Sequence, residues 1–317
     1  MKISIRKRTL IKDSIVFMMF LLFMLLGPQS IALTNSEPAL NEVFTSVVML
    51  KTEDVDSAGD TVPGYCNATI LSPRVLITAA HCVFRSHVAN KHEIELQVGK
   101  YKYKNLPDGT VKRIGYSVFF QEHYQTQYYF TPNIKSQIQR SGLQTQIGPM
   151  EDIAILVLAA EKVLPDHLPQ AQIIPQKYLK GALSQLSRYL PSSVTINFFS
   201  EPSLDIKRMA VLNRLEVNSG YFESTSNARL EEGDSGSPLF LSMAVGNSSY
   251  TKHPPIQADF DAQSAPDSNS EQKYLAGIAK GRASTIFSNW DVFGILDQKV
   301  CSIAAEDAGV LKDLLCR

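Results

Sequence analysis

The chain has 317 residues, and its 31 Lys and Arg balance 31 Asp and Glu, so the formal net charge is zero. That balance lacks the basic excess by which nucleic-acid binders draw on phosphate charge, and nucleic acid is set aside as a partner. The 44% apolar fraction is that of an ordinary globular protein.

In chain order, the first feature is a basic stretch (Lys2, Arg6, Lys7, Arg8, Lys12) followed by an apolar run from Ile15 to Leu26, then Gly27-Pro28 and the small-residue site Ser30-Ile31-Ala32. This is the pattern of a signal peptide, expected over residues 1–32. The run has 12 residues, fewer than the roughly 20 that cross a bilayer as a helix. Cleavage near Ala32 is therefore expected, with only transient contact with a membrane and a destination in the periplasm or outside the cell. Removal would take five Lys and Arg and one Asp, leaving 26 basic and 30 acidic residues and a formal charge of −4.

Short β-type runs follow, separated by turn residues: Val43 to Leu50, Asn67 to Leu71, Val75 to Thr78, Ile94 to Val98, Ile114 to Phe120 and Ile153 to Leu158 in the first half. Val194 to Phe199, Ala210 to Val217, Pro238 to Ser242, Tyr274 to Ala279 and Asp291 to Leu296 follow in the second. Their number and spacing predict an all-β sandwich or barrel construction. Two stretches read as insertions: Gln121 to Met150, rich in glutamine and aromatic residues, and the polar Ala244 to Gln272 with its Pro254-Pro255 pair. Aromatics at 124–130 would either cover a cleft or pack on their own domain. Only the C-terminus reads as helix, with Ile303, Val310, Leu311, Leu314 and Leu315 on a loosely helical spacing after Cys301.

Four cysteines, Cys66, Cys82, Cys301 and Cys316, permit three pairings in an exported chain. Local pairing of the first two and of the last two would close two loops, each worth about 3 kcal/mol. His87, His92, His123, His167 and His253 lack the spacing of a metal-binding helix, and no metal or cofactor is expected. Two sequons occur, Asn67-Ala68-Thr69 and Asn247-Ser248-Ser249.

Three segments carry chemistry. Gly233-Asp234-Ser235-Gly236-Ser237-Pro238 places a serine on a glycine-flanked loop; Thr78-Ala79-Ala80-His81-Cys82 supplies a histidine; Asp152 opens the apolar run Ile153 to Leu158. A serine hydroxyl is a poor nucleophile at neutral pH and needs a base, and the base needs a partner that fixes its tautomer. Histidine and a buried aspartate fill those roles, and backbone N–H groups on a glycine loop can stabilise an oxyanion.

In the order His, Asp, Ser, these blocks resemble the signature segments of the trypsin/chymotrypsin family of serine endopeptidases; subtilisin-like enzymes and α/β-hydrolases run in other orders. The resemblance covers roughly residues 40–300. It implies two six-stranded antiparallel barrels packed at right angles with a C-terminal helix, one barrel spanning 33–165 with the histidine and aspartate and the other spanning 166–317 with the serine. It implies His81 as general base, Asp152 as its orienting partner, Ser235 as nucleophile, and the N–H groups of Gly233 and Ser235 as the oxyanion hole. Cys66 and Cys82 match the disulfide that braces the histidine loop. A monomer acting on polypeptide substrates is the expected working form.

The same resemblance places Arg229, Gly281 and Asp291 around the specificity pocket. Arg229 stands where trypsin-like members carry aspartate, while Asp291 offers a carboxylate at a second floor position, so acidic and basic preferences are both open. Ser237 replaces the second glycine of the nucleophile loop. Lys280 stands where a Ser-Trp pair is usual on the strand that meets substrate backbone, which alters that wall. Members made as zymogens pair a new N-terminus with the aspartate before the serine, here Asp234, and the corresponding position falls near Leu33. A protease-like binding or adhesion module without proteolytic activity is the alternative; it is disfavoured because all three residues of the triad are present.

Overall fold

The computed structural model describes residues 37–38, 46–55, 60–107, 111–166, 168–175, 179, 192–196, 208–212, 215–218, 221–224, 230, 234–244, 271–284, 289–296, 298–304 and 315. All of them belong to 32–317, one of the two units into which the chain divides. The expected signal peptide, Leu33, Arg229, Gly233, Cys316 and nearly all of the 244–272 stretch lie outside the described residues.

Fourteen strands dominate the described chain. In order they are β1 (Glu37–Pro38), β2 (Val47–Val55), β3 (Thr61–Ser72), β4 (Val75–Thr78), β5 (Glu93–Asn105), β6 (Val111–Phe130) and β7 (Ala154–Leu158). The remainder are β8 (Ser192–Ile196), β9 (Arg208–Leu212), β10 (Leu215–Asn218), β11 (Tyr221–Ser224), β12 (Pro238–Ala244), β13 (Glu271–Ser284) and β14 (Asn289–Ile295). No described helix is long and apolar enough to cross a membrane.

Six strands close a barrel in the order β2-β3-β4-β7-β6-β5, with every neighbouring pair antiparallel. Closure removes free edges where all six strands pair, while the outer parts of β5 and β6 pair only with each other. β4 illustrates the sequence logic: Val-Leu-Ile-Thr is buried at all four positions, because β3 and β7 flank it and the chain leaves no face to solvent. Leu50, Ile70, Leu76, Ile77 and Ile94 are among the largest side chains fully withdrawn from water in this core.

The stretch beginning at Gln121, expected to be an insertion, is framework. Residues 121–130 complete β6 and pair with β5 on one side and β7 on the other. Tyr124, Thr126, Tyr128 and Phe130 are buried while Gln125 and Gln127 are exposed, the period-two alternation of a strand with one face in the core. Its aromatics therefore pack on their own barrel. After it, Thr131 caps the helix Pro132–Ser141, its hydroxyl accepting from the Ile134 N–H at 3.4 Å, and Gly142 ends the helix at φ 51°.

The other strands form an eight-stranded sheet in the order β1-β9-β8-β12-β13-β14-β11-β10, where six strands and closure were expected. β1 supplies one of the additional strands, Glu37 facing Met209 and Pro38 facing Arg208. The run predicted from Ala210 to Val217 is two strands, β9 and β10, with different neighbours. Between barrel and sheet, Leu164 and Ala171 donate to Pro73 and Ile70 of the barrel at 2.9 and 2.8 Å. Ile173 then bridges to Leu275 of β13, tying the connecting segment to both halves. The helix Gln298–Ala304 begins ahead of Cys301, and its Val300 and Ile303 join a buried cluster that includes barrel residues.

Candidate functional site

The histidine segment is held from three directions. It leaves β4 into a short 3-10 turn, Ala80–Cys82, where Ala80 and Cys82 are buried. Thr52 donates its hydroxyl to the Cys82 carbonyl oxygen at 3.3 Å, and a disulfide joins Cys82 to Cys66 on β3. Cys301 is also disulfide-bonded, and its expected partner Cys316 lies outside the described residues.

Asp152 stands just ahead of β7 and is fully buried, whereas the His81 side chain is 33% exposed. Both carboxylate oxygens face the histidine: the main-chain N–H of His81 donates to Oδ1 at 2.9 Å, and Nδ1 lies 2.7 Å from Oδ2. A buried carboxylate without such donors would carry a desolvation cost of several kcal/mol. The pairing puts the imidazole proton on Nδ1 and leaves Nε2, 3.8 Å from Cys82 Sγ, as the basic lone pair. The preceding loop is braced where Thr131 Oγ1 donates to Glu151 at 2.6 Å.

The serine segment forms a turn leading into β12. Gly236 sits at φ 80°, and a Cβ there would fall 2.0 Å from the Asn67 carbonyl oxygen and 2.4 Å from Thr78 Oγ1. Glycine is therefore required by both the backbone conformation and the space. The Asn67 N–H donates to the Ser235 carbonyl oxygen at 2.7 Å, while the Gly236 N–H donates to Ala279 on β13 at 2.8 Å. The first sequon is thereby buried: Asn67 is 1% exposed and Thr69 fully covered, so neither is open to modification in the folded chain.

Ser235 is half-buried, and its hydroxyl donates to the Lys280 carbonyl oxygen at 3.2 Å instead of to His81. Among the described residues no acceptor takes the Ser235 main-chain N–H, the arrangement an oxyanion donor needs. Asp234 and Ser237 on either side are fully buried.

Of the expected pocket residues, Asp291 is 1% exposed and its Oδ1 accepts from the Leu230 N–H at 3.1 Å. Its carboxylate therefore anchors the main chain at Leu230. Gly281 pairs with Val292 beyond a bulge that leaves Lys280 without a place in the β13–β14 ladder. Lys280 is the residue whose full role the sequence did not disclose: its Nζ donates to the carbonyl oxygen of Ile147, in the loop before Asp152. The signal was present, since a lysine stood where the resemblance called for other residues. Cys66 Sγ, Cys82 Sγ and His81 Nε2 lie within 4.8 Å of one another, but a metal takes thiolates and both sulfurs are committed to the disulfide.

The sequence model of the family described as Trypsin matches residues 55–257. Among solved structures, the chain is similar to the scabies mite inactivated protease paralogue S-I1 at 17% identity and a TM-score of 0.47, over 84% of this chain and 95% of that one. No curated protein matches it.

Proposed function

The chain belongs to the trypsin family, and on that premise we propose that it is a secreted serine endopeptidase in which Ser235 attacks the peptide carbonyl, His81 moves the proton and Asp152 holds the imidazole. The observation that carries this reading is the two-point grip of buried Asp152 on His81, through the main-chain N–H and Nδ1 together. It selects the tautomer in which Nε2 can accept a proton.

In the resting geometry the Ser235 hydroxyl donates to Lys280, so attack begins with its rotation toward His81 Nε2, a hydrogen bond that commonly tightens only with substrate in place. As Oγ bonds to the carbonyl carbon, its proton passes to Nε2 and the imidazolium is stabilised by Asp152. The oxyanion is met by the main-chain N–H of Ser235, which no acceptor takes among the described residues, with Gly233 as the second donor. Proton transfer from Nε2 to the leaving amine breaks the C–N bond; water, deprotonated by the same nitrogen, then releases the acyl group.

Export rests on the N-terminal pattern and fits a folded chain braced by disulfides. Labelling with a fluorophosphonate tests the assignment: wild type reacts at Ser235 and Ser235→Ala does not. Folded, processed protein that stays unlabelled would favour the binding-module alternative.

A further inference from the structure

We propose that Lys280 is a specificity-determining residue that selects substrates carrying an aspartate or glutamate beside the scissile residue, a refinement that rests on the endopeptidase reading. Lys280 occupies the bulge in β13, between Ala279, which pairs with Phe293, and Gly281, which pairs with Val292. Release from the ladder sends its two polar ends in different directions. The carbonyl oxygen accepts from the Ser235 hydroxyl, and the ammonium reaches the Ile147 carbonyl oxygen in the loop ahead of Asp152. One residue thus touches both the serine side and the aspartate side of the site.

The ammonium is only partly provided for. It carries three N–H donors, Ile147 takes one, and no carboxylate pairs with it among the described residues. Lys280 is half-buried, so its charge has lost part of its hydration without gaining a counter-ion among the described residues. A carboxylate arriving on a peptide supplies that counter-ion and accepts the spare donors through charge-assisted hydrogen bonds. A cationic peptide side chain in the same place meets a like charge and is rejected.

The test uses two readouts on the full processed chain. Cleavage of a peptide series with a fixed scissile residue, varied beside it among Asp, Glu, Ala and Lys, is compared for wild type, Lys280→Gln and Lys280→Arg. Binding of the same peptides to Ser235→Ala is followed by fluorescence anisotropy, which needs no catalysis. We expect acidic peptides to be favoured roughly tenfold over alanine in both readouts, about the factor that one partly screened charge-assisted contact gives. K280Q should abolish the preference, K280R should keep it, and added salt should weaken it. An acidic preference that survives K280Q, or its absence from wild type and Ser235→Ala alike, overturns the assignment. Failure of fluorophosphonate labelling together with retained acidic-peptide binding would sink the endopeptidase reading and keep Lys280 as the determinant of acidic-peptide binding without cleavage.

Discussion

The main-chain N–H of Asn67 donates to the carbonyl oxygen of Ser235 at 2.7 Å, so a barrel strand and the serine turn share a backbone hydrogen bond. Gly236 permits that approach, since any Cβ would fall on the Asn67 carbonyl. Gly236→Ala is expected to cost about 3 kcal/mol or more, because strain at a positive φ adds to a backbone clash, and to abolish fluorophosphonate labelling. Gly142→Ala provides the contrast: φ is also positive there but nothing lies within 4 Å, so only the backbone strain of about 1–2 kcal/mol is expected. Urea unfolding of both variants checks the pair, and equal losses would contradict the packing explanation.

Asp152→Asn keeps the size of the side chain but gives the histidine an amide in place of a carboxylate. The imidazole can then adopt the other tautomer, and kcat should fall about 10⁴-fold with little change in KM, the scale seen when a triad loses its orienting carboxylate. Steady-state kinetics on protein shown folded by circular dichroism measures it. A loss smaller than tenfold would mean that Asp152 does not orient the base.

The Cys66–Cys82 disulfide spans a sequence separation of 16 and anchors the histidine turn to β3. Replacing both cysteines with serine should lower stability by about 3 kcal/mol on chain-entropy grounds. Labelling should slow as well, because the turn loses its covalent tie next to His81. Denaturant titration and labelling rates on one preparation separate the two effects. Unchanged stability with slowed labelling would confine the bond to a local role.

His87 packs edge-on against Phe130, with ring centroids 5.3 Å apart, and against Tyr128 at 6.2 Å. Burial, then the charges of His92 and Lys135, hold its imidazole below the ordinary value of 6.5. The unfolded chain therefore takes up this proton first as pH falls. Its contribution is complete above the unfolded value of 6.5 and is lost as pH drops through the lower folded value. The thermal midpoint should decline between about pH 7 and 5, the range around an ordinary histidine, and His87→Gln should flatten that decline. An identical slope in the variant would assign the acid sensitivity to other groups.

Element type was legible wherever local pattern and final burial agreed. Val75 to Thr78 is legible as a strand at its observed bounds because four buried positions leave an unbroken β-branched and apolar run. Residues 121–130 carry the alternation of a strand but the composition of a loop: Thr126 lies in the core among tyrosines, with glutamines between them. Thr131, Pro132 and Gly142 likewise spelled the start and end of a helix that went unread. The second sheet was less visible, since β1 finds its partner β9 about 170 residues away, a pairing no local pattern encodes. Near the candidate site the residue types are legible and the contacts are not. Lys280 stood out as a departure, but the bulge that turns it toward Ile147 depends on how β13 meets β14.

The link between Ile147 and Lys280 joins positions 133 residues apart. During synthesis His81 and Asp152 can settle in a finished barrel long before the strand bearing Lys280 has been made, since loop closure over such distances comes late. On the endopeptidase reading a working nucleophile would then arise only once the strand bearing Lys280 is made, and an unfinished chain would have no means of cutting its neighbours. The timing of any proteolysis would in this sense be written into the connectivity, ahead of any processing event.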